Sequence, residues 1–166
     1  GRLEPQKDID TLLKSFEILN NHHDSKLLII GDGSEKEKLL TCTNEIKAKI
    51  KHINFDENPY KYIKHCNILL LTSIYEGMPN ILIEAQIMKM PIVATNCPGG
   101  TSEALLEGDT GLLAKTGDPK DIANKILELI NDEKIKNKFI LNYQKSIERF
   151  DPKKTVKVLL EEVRRF

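Results

Sequence analysis

Five short apolar runs, each followed by a turn and a longer amphipathic stretch, constrain this chain more than any other feature. They are "KLLIIG" (Lys26–Gly31), "KHINF" (Lys51–Phe55), "NILLLTS" (Asn67–Ser73), "PIVATN" (Pro91–Asn96) and "GLLAK" (Gly111–Lys115). Runs of this length bounded by Gly, Pro and Asn read as strands. Their residues are apolar in succession rather than in alternation, so both faces of the sheet must be covered. The stretches between them carry helical periodicity. Asp8–Asn21 places Ile9, Leu12, Leu13, Phe16 and Leu19 on one stripe, and a helix from Asp118 to Ile130 does the same with Ile122, Ile126 and Leu129. Further helices are expected over Glu35–Lys47 (carrying Leu39 and Leu40), Pro59–His65, Pro79–Lys89, Glu133–Glu148 and Pro152–Phe166. Strands alternating with helices predict an α/β domain over residues 1–166, with a doubly wound, Rossmann-like parallel sheet. Such a sheet binds ligands beyond the carboxyl ends of its strands, here in the loops after Ile30, Phe55, Leu71 and Asn96.

The chain of 166 residues fits one domain with a real core. Its 25 basic and 25 acidic side chains cancel, so no global field draws it to nucleic acid, and any anion site must be local. Cys42, Cys66 and Cys97 are scattered and odd in number, which suits a reducing, cytoplasmic setting. His22-His23 and His65-Cys66 lack a second cluster to complete a metal site, and no metal or other cofactor is expected. No leader and no bilayer-length apolar run is visible. The abrupt opening "GRLEPQK", without Met or a leading strand, suggests a piece of a longer protein.

The chemistry concentrates in "YEGMPNILIEA", Tyr75–Ala85. Pro79 suits the first position of a helix, where its missing N–H leaves nothing unpaired. The N–H groups of Asn80 and Ile81 then point off the helix start, and Gly77 lets a ligand approach the backbone. Glu84 lies five residues beyond Pro79, about 7.5 Å along the axis, within reach of the ribose of a nucleotide whose diphosphate sits at the helix end. Glu76 faces the group on the diphosphate's other side. Alternatively, Glu84 forms a salt bridge with Lys61 or Lys89. Arg2 and Lys7 offer a guanidinium fork and a point charge to a diphosphate, or stand solvated at a helix start. Gly31-Asp32-Gly33 either borders a base or simply ends a strand. Gly99-Gly100 in "NCPGGTSEAL" reads as a second ligand-facing turn or as a helix cap, and Cys97 lines the site or packs as a small residue.

Taken together, "GRLEPQKDIDTLLKSF", "LLIIGDGSEKEKL", "NPYKYIKHCNILLLTSIYEGMPNILIEA" and "PIVATNCPGGTSEALLEGDTGLL" resemble the C-terminal domain of group 1 (family 4) retaining glycosyltransferases of the GT-B fold. The resemblance runs nearly the whole chain in order, and its most specific element is the pair of glutamates around Gly-Met-Pro-Asn. It implies a nucleoside-diphosphate-sugar donor, usually a UDP-sugar, and transfer with retention. It implies that Arg2 and Lys7 bind the diphosphate, Glu76 lies near the donor sugar and Glu84 holds the ribose. Gly77, Met78, Pro79, Asn80 and Ile81 form the diphosphate turn, Gly31 belongs to the donor site, and Asn54 and Phe55 form the base segment. Many members carry Gly-Phe where this chain reads "INFDENPY", which brings Asp56 close to the base segment. The resemblance also implies an amino-terminal domain, absent here together with the first strand of this half, that binds a glycan or lipid-linked acceptor. That domain would bring peripheral association with the inner face of the membrane. The setting implied is bacterial polysaccharide assembly. The chain alone is then expected to bind UDP weakly and not to turn over. A GT-B nucleotide-sugar epimerase and a non-catalytic nucleotide-binding module are the rival readings.

Overall fold

The computed structural model describes residues 1–40, 44–151, 153 and 156. Five parallel strands form where the apolar runs lie: β1 (Leu27–Ile30), β2 (Ile50–Ile53), β3 (Leu69–Leu71), β4 (Ile92–Thr95) and β5 (Leu112–Ala114). They are shorter than the runs because the flanking Gly, Asn and Ser residues leave the ladder. Pairing is β1–β2, in register from Leu27 opposite Ile50, and β3–β4–β5, with Leu69 opposite Ile92 and Val93 opposite Leu112. The sequence implies one sheet; the described residues form two, because β1 and β3 share no ladder. The opening segment links them at their carboxyl ends. Leu3 N–H donates to Asp32 O (2.8 Å) beyond β1, and Ile74 N–H donates to Gln6 O (2.9 Å) beyond β3.

Strand β4 explains the layered core. All four of its residues are buried. Val93 packs with Phe16 and Leu19 of α1 (Ile9–Asn20) and with Ile122, Ile126 and Leu129 of α6 (Pro119–Asn131). Ile92 and Ala94 point the other way, against Leu82 and Ala85 of α4 (Asn80–Ile87) and the Leu105 side chain. Alternation along one strand therefore feeds two apolar layers, as a doubly wound sheet requires. Full burial of a leucine such as Leu82 or Leu129 contributes about 1.5–3 kcal/mol. A third cluster, around Leu3, Ile9, Leu13 and Ile29, ties the opening segment to β1.

The helix starts follow local chemistry. Asp8, Asp118 and Asp132 each accept backbone N–H groups at the heads of α1, α6 and α7 (Glu133–Ile147). The expected helix over Glu35–Lys47 is instead a 3-10 turn (Lys36–Leu40) and a short α2 (Asn44–Ala48), since two leucines make too narrow a stripe to hold one long helix. The expected Pro59–His65 helix contracts to α3 (Tyr60–Ile63), and Thr101–Ala104 forms a further one-turn helix, α5. The helix expected over Pro152–Phe166 lies outside the described residues apart from Lys153 and Val156, and Cys42 also lies outside them. No helix among the described residues is long and apolar enough to cross a membrane.

Candidate active site

The chain leaves β3 through Thr72 and Ser73 and runs directly beneath the opening segment. The Thr72 hydroxyl donates to Lys7 O (2.8 Å), beside the Ile74–Gln6 backbone bond. These bonds hold Arg2 to Lys7 over the carboxyl ends of β1 and β3. The approach depends on Gly31 and Gly33. A Cβ on Gly31 would lie 2.8 Å from the Gly1 carbonyl carbon, and one on Gly33 would lie 2.7 Å from that of Leu3. Both glycines also have positive φ, 140° and 155°. The Gly-Asp-Gly turn is thus accounted for by its contact with residues 1–3. Asp8-Ile9-Asp10, an Asp-x-Asp triplet, is engaged locally: Asp8 caps α1 through Thr11 N–H, and Asp10 accepts from Lys38 Nζ at 2.7 Å.

Lys7 and Glu76 meet. The Lys7 ammonium lies 2.5 Å from Glu76 Oε1, and the Glu76 side chain is only 9% exposed. A carboxylate so far out of water needs partners. It has further ones: Ser73 Oγ donates to Oε1 at 2.6 Å, and Gln6 Nε2 lies 3.4 Å from Oε2 while donating to Tyr75 O at 2.8 Å. Lys7, expected on a diphosphate, therefore spends its charge on Glu76 in this state. Arg2 is exposed and pairs with no acid among the described residues.

Beyond Glu76 the backbone turns through Gly77 and Met78 into α4. Pro79 is the residue before the helix (φ −78°, ψ 91°) rather than its first residue, because its ψ is extended, and helical geometry begins at Asn80. No side chain among the described residues caps this helix, unlike α1, α6 and α7. The N–H groups of Asn80 and Ile81 make no hydrogen bond among the described residues. The Ile81 side chain packs against the core, and Met78 is exposed. Gly77 is outside the left-handed region, and a Cβ there would meet nothing within 4 Å. The fold itself does not demand glycine at 77.

Gly99 and Gly100 are different. Glu76 N–H donates to Pro98 O (3.0 Å), Gly100 N–H donates to Gly77 O (2.6 Å), and Glu76 and Gly99 form a parallel bridge. A Cβ on Gly99 would lie 2.7 Å from the Glu76 carbonyl carbon and closer still to its oxygen. The "CPGG" loop is thus the backbone support of the 76–78 turn. Cys97 is buried beside it, with Sγ 3.3 Å from Thr101 Oγ1.

Glu84 lies one turn into α4 and is half-buried. No cation pairs with it among the described residues: Lys61 instead bonds Asp56 at 2.7 Å. Its neighbour is the Tyr60 hydroxyl, whose pKa is pushed up by burial and then by the Glu84 negative charge and hydrogen bond. Phe55 projects into solvent, 76% exposed, and Asn54 accepts from Lys36 Nζ at 3.0 Å. Asp56 is tied down by Lys61, Asn58 N–H and Tyr62, and the Lys61 hydrogen bond holds its carboxyl below the usual range. Sequence reasoning missed Gln6, Ser73 and Tyr60. For Ser73, its place three residues before Glu76 at a strand end was an available signal; the Gln6 contact spans 70 residues and left none.

A Rossmann-like domain with a glycine turn and an uncapped helix at the carboxyl face of its strands is the arrangement of the C-terminal half of the GT-B fold. The chain belongs to the family described as glycosyl transferases group 1, whose model matches residues 1–146. It is 32% identical over 155 residues to the capsular polysaccharide biosynthesis glycosyltransferase CapM of Staphylococcus aureus, covering 89% of this chain and 40% of that protein. It is 28% identical over 163 residues to a Campylobacter jejuni enzyme, N-acetylgalactosamine-N,N'-diacetylbacillosaminyl-diphospho-undecaprenol 4-alpha-N-acetylgalactosaminyltransferase, covering 97% of this chain and 44% of that one. A solved structure of S. aureus TarM, a variant in complex with fondaparinux, alpha-GlcNAc-glycerol and UDP, superposes with a TM-score of 0.86 at 27% identity over 97% of this chain and 34% of that one. The chain spans less than half the length of these relatives.

Proposed function

We propose that this chain is the donor-binding half of a retaining glycosyltransferase that takes a UDP-sugar and passes the sugar to a glycan or lipid-linked acceptor. One observation carries the reading. An uncapped helix start, Asn80–Ile81, stands behind a glycine, Gly77, whose missing side chain the fold does not require. Free N–H groups and the positive end of the helix suit a diphosphate, and the open space at Gly77 lets it reach them. Glu84, half-buried and without a cation, is placed one turn further on to accept the ribose hydroxyls. Glu76 accepts a hydroxyl of the sugar. The departing diphosphate is neutralised by Arg2, Lys7 and the α4 start rather than by a metal, and the acceptor attacks on the leaving-group side. The name of the Campylobacter relative gives that enzyme a diphospho-undecaprenol-linked acceptor, which supports a lipid-linked acceptor, and with it work at the inner face of a membrane, as one form of this reading.

The UDP in the TarM complex supports uridine as the nucleotide. Calorimetric titration of the chain with UDP tests the reading directly. Glu84→Ala should weaken binding about tenfold, the scale of a charge-assisted hydrogen bond lost to a hydroxyl pair. Unchanged affinity in that variant would remove Glu84 from the site. A screen of UDP-sugars for transfer by the protein carrying an acceptor-binding domain then identifies the donor, and product analysis distinguishes transfer from epimerisation.

A further inference from the structure

Glu76 is held so that only one of its two oxygens is available to a ligand. An ionised carboxylate offers about four lone-pair directions, two on each oxygen. On Oε1 both are taken, by Lys7 Nζ at 2.5 Å and Ser73 Oγ at 2.6 Å. Oε2 faces the Gln6 amide at 3.4 Å, the long limit of a hydrogen bond, and keeps acceptor capacity to spare.

The groups doing the holding are themselves fixed. Ser73 is fully buried, and its carbonyl accepts from Thr95 Oγ1 at 2.5 Å. Gln6 is held at both ends: its side-chain amide donates to Tyr75 O at 2.8 Å and its backbone carbonyl accepts from Ile74 N–H at 2.9 Å. A carboxylate oriented by groups locked in this way loses little freedom when a ligand arrives.

We propose that Ser73 and Gln6 are positioning residues that present Glu76 to the donor sugar through Oε2 alone, as a single acceptor for one hydroxyl. This rests on the donor-site reading above. Ser73 matters because Lys7 has two claims on it. When a diphosphate draws the Lys7 ammonium, Ser73 keeps its hold on Oε1 and the carboxylate does not swing. Gln6 limits Oε2 from the opposite side. The hydroxyl accepted at Oε2 is a donor group, so a sugar deoxy at that position loses this contact and binds about tenfold more weakly.

The test compares affinities for UDP and for a panel of UDP-glucose, UDP-galactose and UDP-N-acetylglucosamine by calorimetry, in the wild-type chain, Ser73→Ala, Gln6→Met and Glu76→Gln. In Ser73→Ala and Gln6→Met the ratio of UDP-sugar to UDP affinity should fall about tenfold, with UDP affinity itself within about twofold of wild type. Gln6 lies on the surface side of the site, so Gln6→Met keeps the test alive if Ser73→Ala is unstable. In a Glu76→Gln background, adding Ser73→Ala should change the ratio no further, because two residues acting through one carboxylate are not additive. An unchanged ratio in both single variants, a parallel fall for UDP and UDP-sugar alike, or full additivity with Glu76→Gln overturns the proposal. Absence of UDP binding in the wild-type chain would instead overturn the donor-site reading, before any variant is compared.

Discussion

Gly77 and Gly99 lie in two loops stitched together by the Glu76–Gly99 bridge, yet substitution should affect them in opposite ways. At Gly77 a Cβ would meet nothing within 4 Å, and the backbone is outside the left-handed region. Gly77→Ala therefore costs the folded state little, and it restricts the unfolded chain by about 0.4–1 kcal/mol in favour of folding. For a domain of this size that raises Tm by roughly 1–4 °C. At Gly99, φ is 110° and a Cβ would lie 2.7 Å from the Glu76 carbonyl carbon. Gly99→Ala strains the backbone and forces the 76–78 turn away, at a cost of about 3 kcal/mol, lowering Tm by roughly 6–12 °C. Ligand binding should separate the two again. A methyl group at 77 occupies the approach to the Asn80 and Ile81 N–H groups, so UDP affinity should fall at least about tenfold in a variant at least as stable as wild type. Thermal unfolding followed by circular dichroism, with calorimetric titration by UDP, measures both quantities. A Gly77→Ala chain that binds UDP as tightly as wild type would refute the idea that this space is kept for a ligand. A Gly99→Ala chain with an unchanged Tm would refute the tight stitching of the two loops.

Other outcomes follow from particular contacts. Asp8 has φ 49° and caps α1 through Thr11 N–H, so Asp8→Ala should lose about 2 kcal/mol from strain and cap together, while Asp8→Asn stays within about 0.5 kcal/mol in a denaturant melt. Thr110 is fully buried and its hydroxyl has no hydrogen-bond partner among the described residues, so Thr110→Val should raise stability by about 1 kcal/mol, read as a higher denaturation midpoint. Tyr143 is buried with its hydroxyl donating to Met90 O at 2.9 Å, and Tyr143→Phe should cost about 1 kcal/mol at neutral pH. Burial raises the Tyr143 pKa, so the folded chain holds that proton more tightly than the unfolded chain does. Its contribution is present in full below about pH 10 and lost as pH rises through the raised value, a dependence that Tyr143→Phe should remove from a pH series of melts.

Where local chemistry decides, the sequence is legible. The five apolar runs became the five strands, and the helices expected from Asp8, Asp118 and Glu133 begin where the Asp8, Asp118 and Asp132 side chains cap them, because capping and two-sided burial act within a few residues. The Glu35–Lys47 helix failed because Leu39 and Leu40 supply no sustained stripe. The division of the sheet between β1 and β3 is a matter of tertiary pairing that neither strand's composition encodes. In the site, the helix start near Pro79 was legible because Pro and a following apolar run constrain the backbone locally, although helical geometry begins one residue later, at Asn80. The partners of Glu76 were not, since Gln6 and Lys7 reach it across about seventy residues. Gly99-Gly100 illustrates the same limit: two glycines mark a close approach, and only the fold reveals that the Glu76–Gly77 backbone is what approaches.

That contact bears on how charge is distributed in the site. With Lys7 bound to Glu76, the pair is neutral, and on the proposed reading the positive field facing an incoming diphosphate comes from Arg2 and the start of α4. On the proposed reading Lys7 must also serve the diphosphate. It cannot simply leave Glu76: an ion pair at about 4 Å near a protein surface is worth on the order of 4 kcal/mol before solvation is counted, and the abandoned carboxylate is nearly out of water. A lysine has three donors, so the arrangement with the lowest cost keeps one on Glu76 Oε1 and turns another to a phosphate oxygen. A bridging Lys7 makes the sugar's acceptor and the leaving group share one cation. On that reading, negative charge building on the departing diphosphate draws Lys7 towards itself, and the Ser73 hydroxyl is then what keeps Glu76 on the sugar.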